Sequence, residues 1–267
     1  MQLEFTYKEK WLHKVNPSFK LLFMMVLFLS VLFIHNINIM INYAAVTLLL
    51  FLLFTGHPWK RVFLLSLPFL LIFVSTSTSM IFFGKGDTTW FKWGLVHISE
   101  ESFFRGIHLG LRALVFATLG LTFALTTRPV FLLYSLMQQL KVKPKYAYSF
   151  LAGLRLMPIM IEEFQTIRYA MKVRGVENKK GVKGFYEKLK AYSIPLLSQS
   201  IRRAHRIAVA MEAKRFSVVK KRTFYYHIGF SKYDVLFAVY FVVMLSLVLY
   251  VSLQYPYILI TDVRYDG

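Results

Sequence analysis

Few residues in this chain could do bond-making chemistry, and the combinations that matter are absent or badly spaced. Glu162 and Glu163 are adjacent, so on a helix they point in different directions and do not make a general acid–base pair. The stretch GKGDTT (84–89) lacks the spacing of a phosphate-cradling glycine loop that ends in Lys-Ser/Thr. The seven histidines are scattered, without ligand pairs at helical spacing; His97 and His108, flanking one end of an apolar run, are weak candidates for metal ligands. With no cysteine there is neither a disulfide framework nor a thiolate metal site. No enzyme is expected. What stands out is a repeated phrase: AMKVRG at 170–175 returns forty residues later as AMEAKR at 210–215. The repeat superposes Ala170, Met171, Arg174 and Gly175 on Ala210, Met211, Lys214 and Arg215. At the same offset, Glu162 and Glu163 correspond to Arg202 and Arg203. A cation at a helix C-terminus gains ~0.3–1 kcal/mol from the helix dipole, which accounts for any one of these residues but not for the phrase occurring twice. A duplicated exposed knob implies a duplicated socket, on two equivalent partners or in one symmetric dimer. The opposed acids and arginines fix a helix crossing if they pack together, and contribute only ~0–1 kcal/mol each if exposed.

The elements that position these residues follow from composition. Of the 267 residues 57% are hydrophobic, the mean hydropathy is +0.51, and the formal charge is nevertheless +20. That combination fits a membrane protein with a basic cytoplasmic surface, or a binder of nucleic acid or anionic lipid. Five apolar runs have the roughly 17–25 residues that a ~30 Å hydrocarbon core asks of a helix: 21–37, 37–56, 62–83, 106–127 and 233–253. Lys8, Lys10, Lys14 and Lys20 precede the first run, and Lys60 and Arg61 lie between the second and third. Residues 128–232 hold 22 of the 33 Lys and Arg with five Glu and no Asp, a net +17. The loops on the other side are nearly neutral, Lys85, Lys92 and Arg105 being offset by Asp87, Glu100 and Glu101. The positive-inside rule then puts the N-terminus in the cytoplasm and the C-terminus outside. Trp11, Trp59, Trp90 and Trp93 all flank runs, as interfacial tryptophans do. The fold class expected is an all-α integral membrane protein. Four spans occupy 1–127, a cytoplasmic domain of amphipathic helices occupies 128–232, and a last span with a short tail occupies 233–267.

Within 128–232 apolar residues recur at helical spacing through Leu154, Met157, Ile161, Phe164 and Met171, and again through Leu197, Ile201, Ala204, Ala208 and Met211. Pro158 predicts a kink or a break in the first run. Ser193 before Ile-Pro reads as a helix start, Gly175 as a helix stop, and GVKG (181–184) as a loop. Arg112 lies inside the fourth run, where a charge is costly; a structural role, anchoring or pairing with a buried acceptor, is favoured over transport. Gly106, Gly110, Ala113 and Ala117 share one side of that helix and invite close approach of another helix, in this subunit or in a partner.

Four of these stretches, in order, carry a resemblance. WLHKVNPSFKLL (11–22), GLRALVFATLGLTFALTTRP (110–129), the run from Tyr146 to Gly175, and IPLLSQSIRRAHRIAVAMEAKRF (194–216) together resemble the transmembrane T component of energy-coupling factor (ECF) transporters. The resemblance implies a non-catalytic scaffold in a bacterial or archaeal cell membrane. It implies as partners two cytoplasmic ATPases, or one fused double ATPase, and one substrate-capture membrane subunit, the S component. No cofactor would bind directly, since Mg-ATP belongs to the partner ATPases, and no nucleic acid is expected. Arg174 and Lys214 would be the cations inserted into the ATPases, with Glu162, Glu163, Arg202 and Arg203 packing the coupling helices. AMEAKRF departs from the family's A-M-E-A-R-G-F, leaving Lys214 and Arg215 both candidates for the second cation. The cargo implied is a vitamin, a vitamin precursor or a metal ion, with a thiamine-related compound as the specific guess. Two other readings compete. A self-contained channel or secondary carrier would place its repeat in the spans. A membrane-tethered binder of anionic lipid or nucleic acid would not need apolar stripes.

Overall fold

The computed structural model describes residues 8–84, 86, 88–93, 96–175, 181–216 and 223–258. In chain order these form α1 (Trp11–Lys14), α2 (Pro17–Phe33), α3 (Ile37–Phe54), α4 (Trp59–Phe83), β1 (Thr89–Trp93), β2 (Val96–Ser99), α5 (Glu100–Thr126), α6 (Pro129–Gln139), α7 (Pro144–Val173), α8 (Gly181–Ala213) and α9 (Lys232–Gln254). They divide into two compact units, one within 1–135 and 228–267, the other within 136–227. The boundary falls inside α6.

The first unit is the membrane part. Helices α3, α4, α5 and α9, of 18, 25, 27 and 23 residues, are long and apolar enough to cross a bilayer, while α2 is also apolar but has 17 residues. The first two apolar runs divide where local hydrogen bonding dictates. Asn16 caps α2 by accepting from the Ser18 amide, with Pro17 at the first helical position, so the helix begins four residues earlier than hydropathy suggests. Asn36 then accepts from the amides of Asn38 and Ile39 at 2.9 and 3.3 Å and starts α3 afresh. At the corner between α3 and α4, Gly56 adopts φ +72°, and a Cβ there would lie 2.2 Å from the Lys8 carbonyl oxygen. Only glycine serves in that position. The segment read as a polar loop after α4 contains an antiparallel hairpin, β1 with β2. Ser99 and Ser102 exchange capping bonds at the start of α5, and Glu100 and Glu101 occupy its first turn. Lys85 and Asp87, which entered the charge count of this loop, lie outside the described residues, as does the Trp93 side chain.

The core of this unit joins α2, α3, α5 and α9 through Met24, Leu27, Met40, Tyr43, Val115, Leu119, Phe237 and Phe241. Trp11, expected in the lipid interface, turns into this core, with its ring 5.5–6.2 Å from those of Phe54, Tyr240 and Phe237. Trp59 and Trp90 remain exposed. Lys20 is the larger correction. Counted with the cations ahead of the first span, it lies inside α2, 1% exposed. Because α2 begins at Pro17, Lys20 falls in its first turn. Its ammonium donates to the Leu12 carbonyl at 2.5 Å and to the Thr126 hydroxyl and carbonyl at 3.1 and 3.3 Å. Both carbonyls sit near helix ends, where oxygens lack intrahelical partners. Asp234 is equally buried and accepts from the amides of Asn16 and Ser231, each at 2.6 Å. Asn16 also donates to the Gly229 carbonyl and accepts from Ser135 Oγ at 2.7 Å. One connected set of bonds thus gathers α1, α2, α6, α9 and the end of α5.

Helix α5 meets α4 through its small residues. A Cβ on Gly106 would stand 2.6 Å from Ile81 Cγ1 and 2.8 Å from the Ser77 carbonyl oxygen, and one on Gly110 would reach Ser77 Oγ and the Phe73 ring. The small face is therefore filled within the subunit.

In the second unit, α7 and α8 are each continuous. No break occurs at Pro158, and α8 runs from Gly181 through Pro195, so neither GVKG as a loop nor Ser193 as a helix start holds. An interior proline removes one amide donor but does not end a helix that has propagated for more than ten residues on both sides.

The close α4–α5 contact yields a paired prediction. Gly106→Ala should lower the melting temperature in detergent, by an amount equivalent to about 1–3 kcal/mol of overpacking. Gly120→Ala should leave it unchanged or raise it, since the nearest neighbour, Phe28 Cζ, would be 4.0 Å away. Equal effects of the two changes would contradict this packing.

Candidate functional site: two capped helix tips

The repeated phrases end α7 and α8, and the two ends are built alike. In α7, Arg174 is the capping residue, its amide donating to the Ala170 carbonyl at 3.2 Å, and Gly175 follows at φ +74° with its amide on the Lys172 carbonyl. In α8, the Lys214 amide donates to the Ala210 carbonyl at 3.2 Å. Arg215 follows at φ +54° with its amide on Glu212, and the Phe216 amide returns to Met211 at 3.0 Å. These are the paired bonds of a Schellman cap, whose left-handed residue is ordinarily glycine. Arg215 thus takes the backbone role of Gly175, and Lys214 takes the place of Arg174. The alignment by sequence left the second cation open between Lys214 and Arg215; by backbone position Lys214 is the counterpart. Both are exposed, as are Arg174 and Gly175.

Burial repeats with the same offset. On α7 the half-buried row beyond residue 160 is Glu163, Ile167 and Met171, and on α8 it is Arg203, Ile207 and Met211; their neighbours, including Ala170 and Ala210, are exposed. Glu163 and Arg203 form an ion pair, with 20% and 29% of their side chains exposed. Glu162 and Arg202 lie on exposed faces and are not brought into that pair. The helices run antiparallel, since Tyr148 meets Phe216 while Glu163 meets Arg203. A second ring contact joins Phe164 and Tyr192.

The ion pair joins position i to position i+40, and the repeat maps i onto i+40. A contact between two equivalent positions lies on a local two-fold axis. Arg174 and Lys214 each lie eleven residues beyond it, about 16 Å along their own helix and in opposite directions. Of the apolar stripes, Leu154 and Met171 on α7 and Met211 on α8 are half-buried, while Met157, Ile161 and Phe164 on α7, and Leu197, Ile201, Ala204 and Ala208 on α8, are left exposed by this chain. Apolar spacing identifies a stripe that wants cover; it does not say whether this chain supplies it.

The membrane-face candidates are elsewhere. Gly106 and Gly110 abut α4, Ala117 is buried and Ala113 half-buried. Arg112 donates from Nη2 to the Ile34 carbonyl at 3.0 Å, a half-buried acceptor at the end of α2. His108 is buried and His97 half-buried, and among the described residues no cluster of His, Cys, Asp or Glu could hold a metal. Sequence reasoning missed Asn16, Ser135 and Asp234. Asp234, a lone acid at the start of an apolar run, was the available signal.

One unit of apolar, membrane-length helices and a second unit of two long helices with matching cationic tips fit a transporter's membrane subunit. The chain belongs to the cobalt transport protein family (CbiQ), whose pattern matches residues 8–226, and within it to the T components of ECF transporters. It is 25% identical over 256 residues to the energy-coupling factor transporter transmembrane protein EcfT of Macrococcus caseolyticus, covering 91% of this chain and 95% of that protein. EcfT of Ruminiclostridium cellulolyticum is 28% identical over 237 residues, covering 84% and 86%, and that of Thermotoga maritima 26% over 248 residues, covering 89% of each. This is a transporter membrane subunit of the cell membrane.

Two measurements test the site. In a double-mutant cycle, Glu163→Gln and Arg203→Gln should couple by about 1 kcal/mol or more, above the typical exposed pair. Arg215→Gly should stabilise the protein by about 1 kcal/mol through relief of the left-handed backbone; a loss of stability would refute the equivalence of the two caps.

Proposed function

We propose that this T component transmits ATP-driven motion from two cytoplasmic ATPase domains to a substrate-capture membrane subunit, through the tips at Arg174 and Lys214. The observation that carries the reading is the ion pair between equivalent positions. It puts the two cations equidistant from a local two-fold axis, the arrangement suited to two like sockets. Both caps project a cation past a helix C-terminus, where an acidic groove could receive it as a charge-assisted hydrogen bond. At the second tip Lys214 offers a point charge rather than a planar fork, and Arg215 beside it adds a second cation. That asymmetry fits two non-identical ATPases, or the unequal halves of a fused one.

The exposed apolar stripes on α7 and α8 supply the surface for the capture subunit and the lipid around it. The charge distribution supports an N-terminus in the cytoplasm and tips on the same side. Mg-ATP belongs to the partners in this scheme, and the capture subunit selects the cargo, a vitamin, vitamin precursor or metal ion. A channel or carrier reading has less support, because the repeat lies in α7 and α8 rather than in the apolar helices.

The test is co-purification together with uptake. Arg174→Ala combined with Lys214→Ala should strip the ATPase subunits from the detergent-solubilised complex and lower ATP-driven uptake tenfold or more, as expected for truncated interfacial charge pairs. Each single change should lose less. Full retention of the ATPases by the double variant, or retained nucleic acid in their stead, would overturn the proposal.

A further inference from the structure

We infer that Asn16 clasps the two stretches of chain that join the units into one stiff link, which carries displacement undivided to the starts of α2 and α9. The inference deepens the reading of this chain as a transmitter, on which it rests, by naming positioning residues for the transmission.

The chain passes between the units twice, within α6 after Ser135 and again just before Ile228. At the first crossing Ser135 Oγ donates to Asn16 Oδ1 at 2.7 Å and accepts from the Ser18 amide at 3.2 Å. Just past the second crossing, the Gly229 carbonyl accepts from Asn16 Nδ2 at 3.1 Å. The Asn16 amide donates to Asp234 in the first turn of α9 at 2.6 Å, and its carbonyl accepts from the Lys20 amide in α2 at 2.9 Å. Both side-chain and both backbone polar groups of Asn16 are therefore engaged. Asn16, Ser135 and Asp234 are 3%, 0% and 3% exposed. An asparagine carries an acceptor and a donor on one short planar group, as holding a hydroxyl and a carbonyl from two separate segments requires.

The two connections differ in stiffness. The first is helical where it crosses, whereas residues 227–231 are not helical, and each such residue has two soft dihedrals that absorb displacement by rotation. The Gly229 bond removes that slack immediately before α9. The Phe230 ring also meets Phe19 of α2 edge-on, with centroids 6.3 Å apart, and Ser231 and Asp234 exchange capping bonds. On the other side of the crossing Gln138 of α6 donates to the Tyr226 carbonyl at 2.5 Å, tying the same two stretches to each other. Lys20 and Asp234 already join the helix ends; the bonds from Ser135 and to Gly229 add the connecting chain.

The experiment uses the assembled transporter in nanodiscs, with cysteine-free partner subunits and nitroxide labels on Tyr225→Cys and Val235→Cys. This chain has no cysteine of its own, and the two positions are 88% and 66% exposed on either side of the strap. The label-to-label distance is read by pulsed electron paramagnetic resonance, without nucleotide and after trapping with Mg-ATP and vanadate. The unmodified complex should give one narrow distribution, the same in both states. Ser135→Ala leaves the Ser18 amide on Asn16, and Asn16→Ser keeps a helix cap but loses the amide that reaches Gly229. Each should raise the population at displaced distances about fivefold, the ratio that one net hydrogen bond commands, and widen the split between nucleotide states. Gly229→Ala keeps the carbonyl, and its Cβ would meet nothing within 4 Å, so it should match the unmodified complex. Distances in both variants equal to the unmodified ones would overturn the inference, as would a nucleotide-dependent distance in the unmodified complex. Loss of assembly or a lower melting temperature with unchanged distances would mark Asn16 and Ser135 as structural only, and would equally overturn it. The transmitter reading fails separately, on retention of the ATPases by the Arg174→Ala, Lys214→Ala complex; the nucleotide-free widths decide the clasp in either case.

Discussion

A lysine withdrawn from water must be given oxygens, and the membrane unit is arranged around that requirement. Lys20 collects a carbonyl from the end of α1 and a carbonyl and hydroxyl from the end of α5. Close by, Asp234 takes the amides that open α2 and α9. Orphan backbone groups at four helix ends thereby satisfy two buried charges, and the charges fix those ends together. Apolar helices in lipid have little hydrophobic reason to choose one neighbour over another, so directional bonds of this kind carry much of the specificity. The close seating of α4 on Gly106 and Gly110 completes the arrangement by shape.

The second unit solves a different problem with fewer contacts. Its two long helices leave most of their apolar residues exposed, and the half-buried Glu163–Arg203 ion pair, with the Tyr148–Phe216 and Phe164–Tyr192 ring contacts, marks where the segments meet. Around that pair the burial pattern, the caps and the terminal cations all repeat at one offset. Glycine has been replaced by arginine in the second cap without loss of the bonds that define it. The backbone geometry of the tip is therefore set by the helix end and tolerates a change of side chain at a cost of roughly 1–2 kcal/mol.

Much of this was legible in the residues. Apolar run length gave four helices long enough to cross a bilayer and a fifth, α2, that is apolar but shorter, and the forty-residue echo gave both caps and the Glu163–Arg203 partners. Arg112, a charge inside an apolar run, had to find an acceptor and did so at Ile34. What failed did so for identifiable reasons. Hydropathy windows do not see an Asn cap, which is why α2 starts early and Lys20 was misplaced among loop cations. Pro195 and the GVKG glycines have breaker character, but a helix of 33 residues runs through them. The stripes on α7 and α8 were found correctly, yet a pattern of residues cannot say who covers it. Of Glu162 and Glu163, adjacency alone could not tell which would face the neighbouring helix.

Consider α7 and α8 as rods pinned where Glu163 meets Arg203. The arms from pin to cap are equal and point opposite ways, so equal and opposite pushes across the rods at the two caps would sum to no net translation and form a couple that turns the pair as one body about the pin. A push at one cap alone would instead shift the whole pivot sideways. A machine of this shape distinguishes simultaneous from one-sided driving by leverage, without any switch in its own conformation.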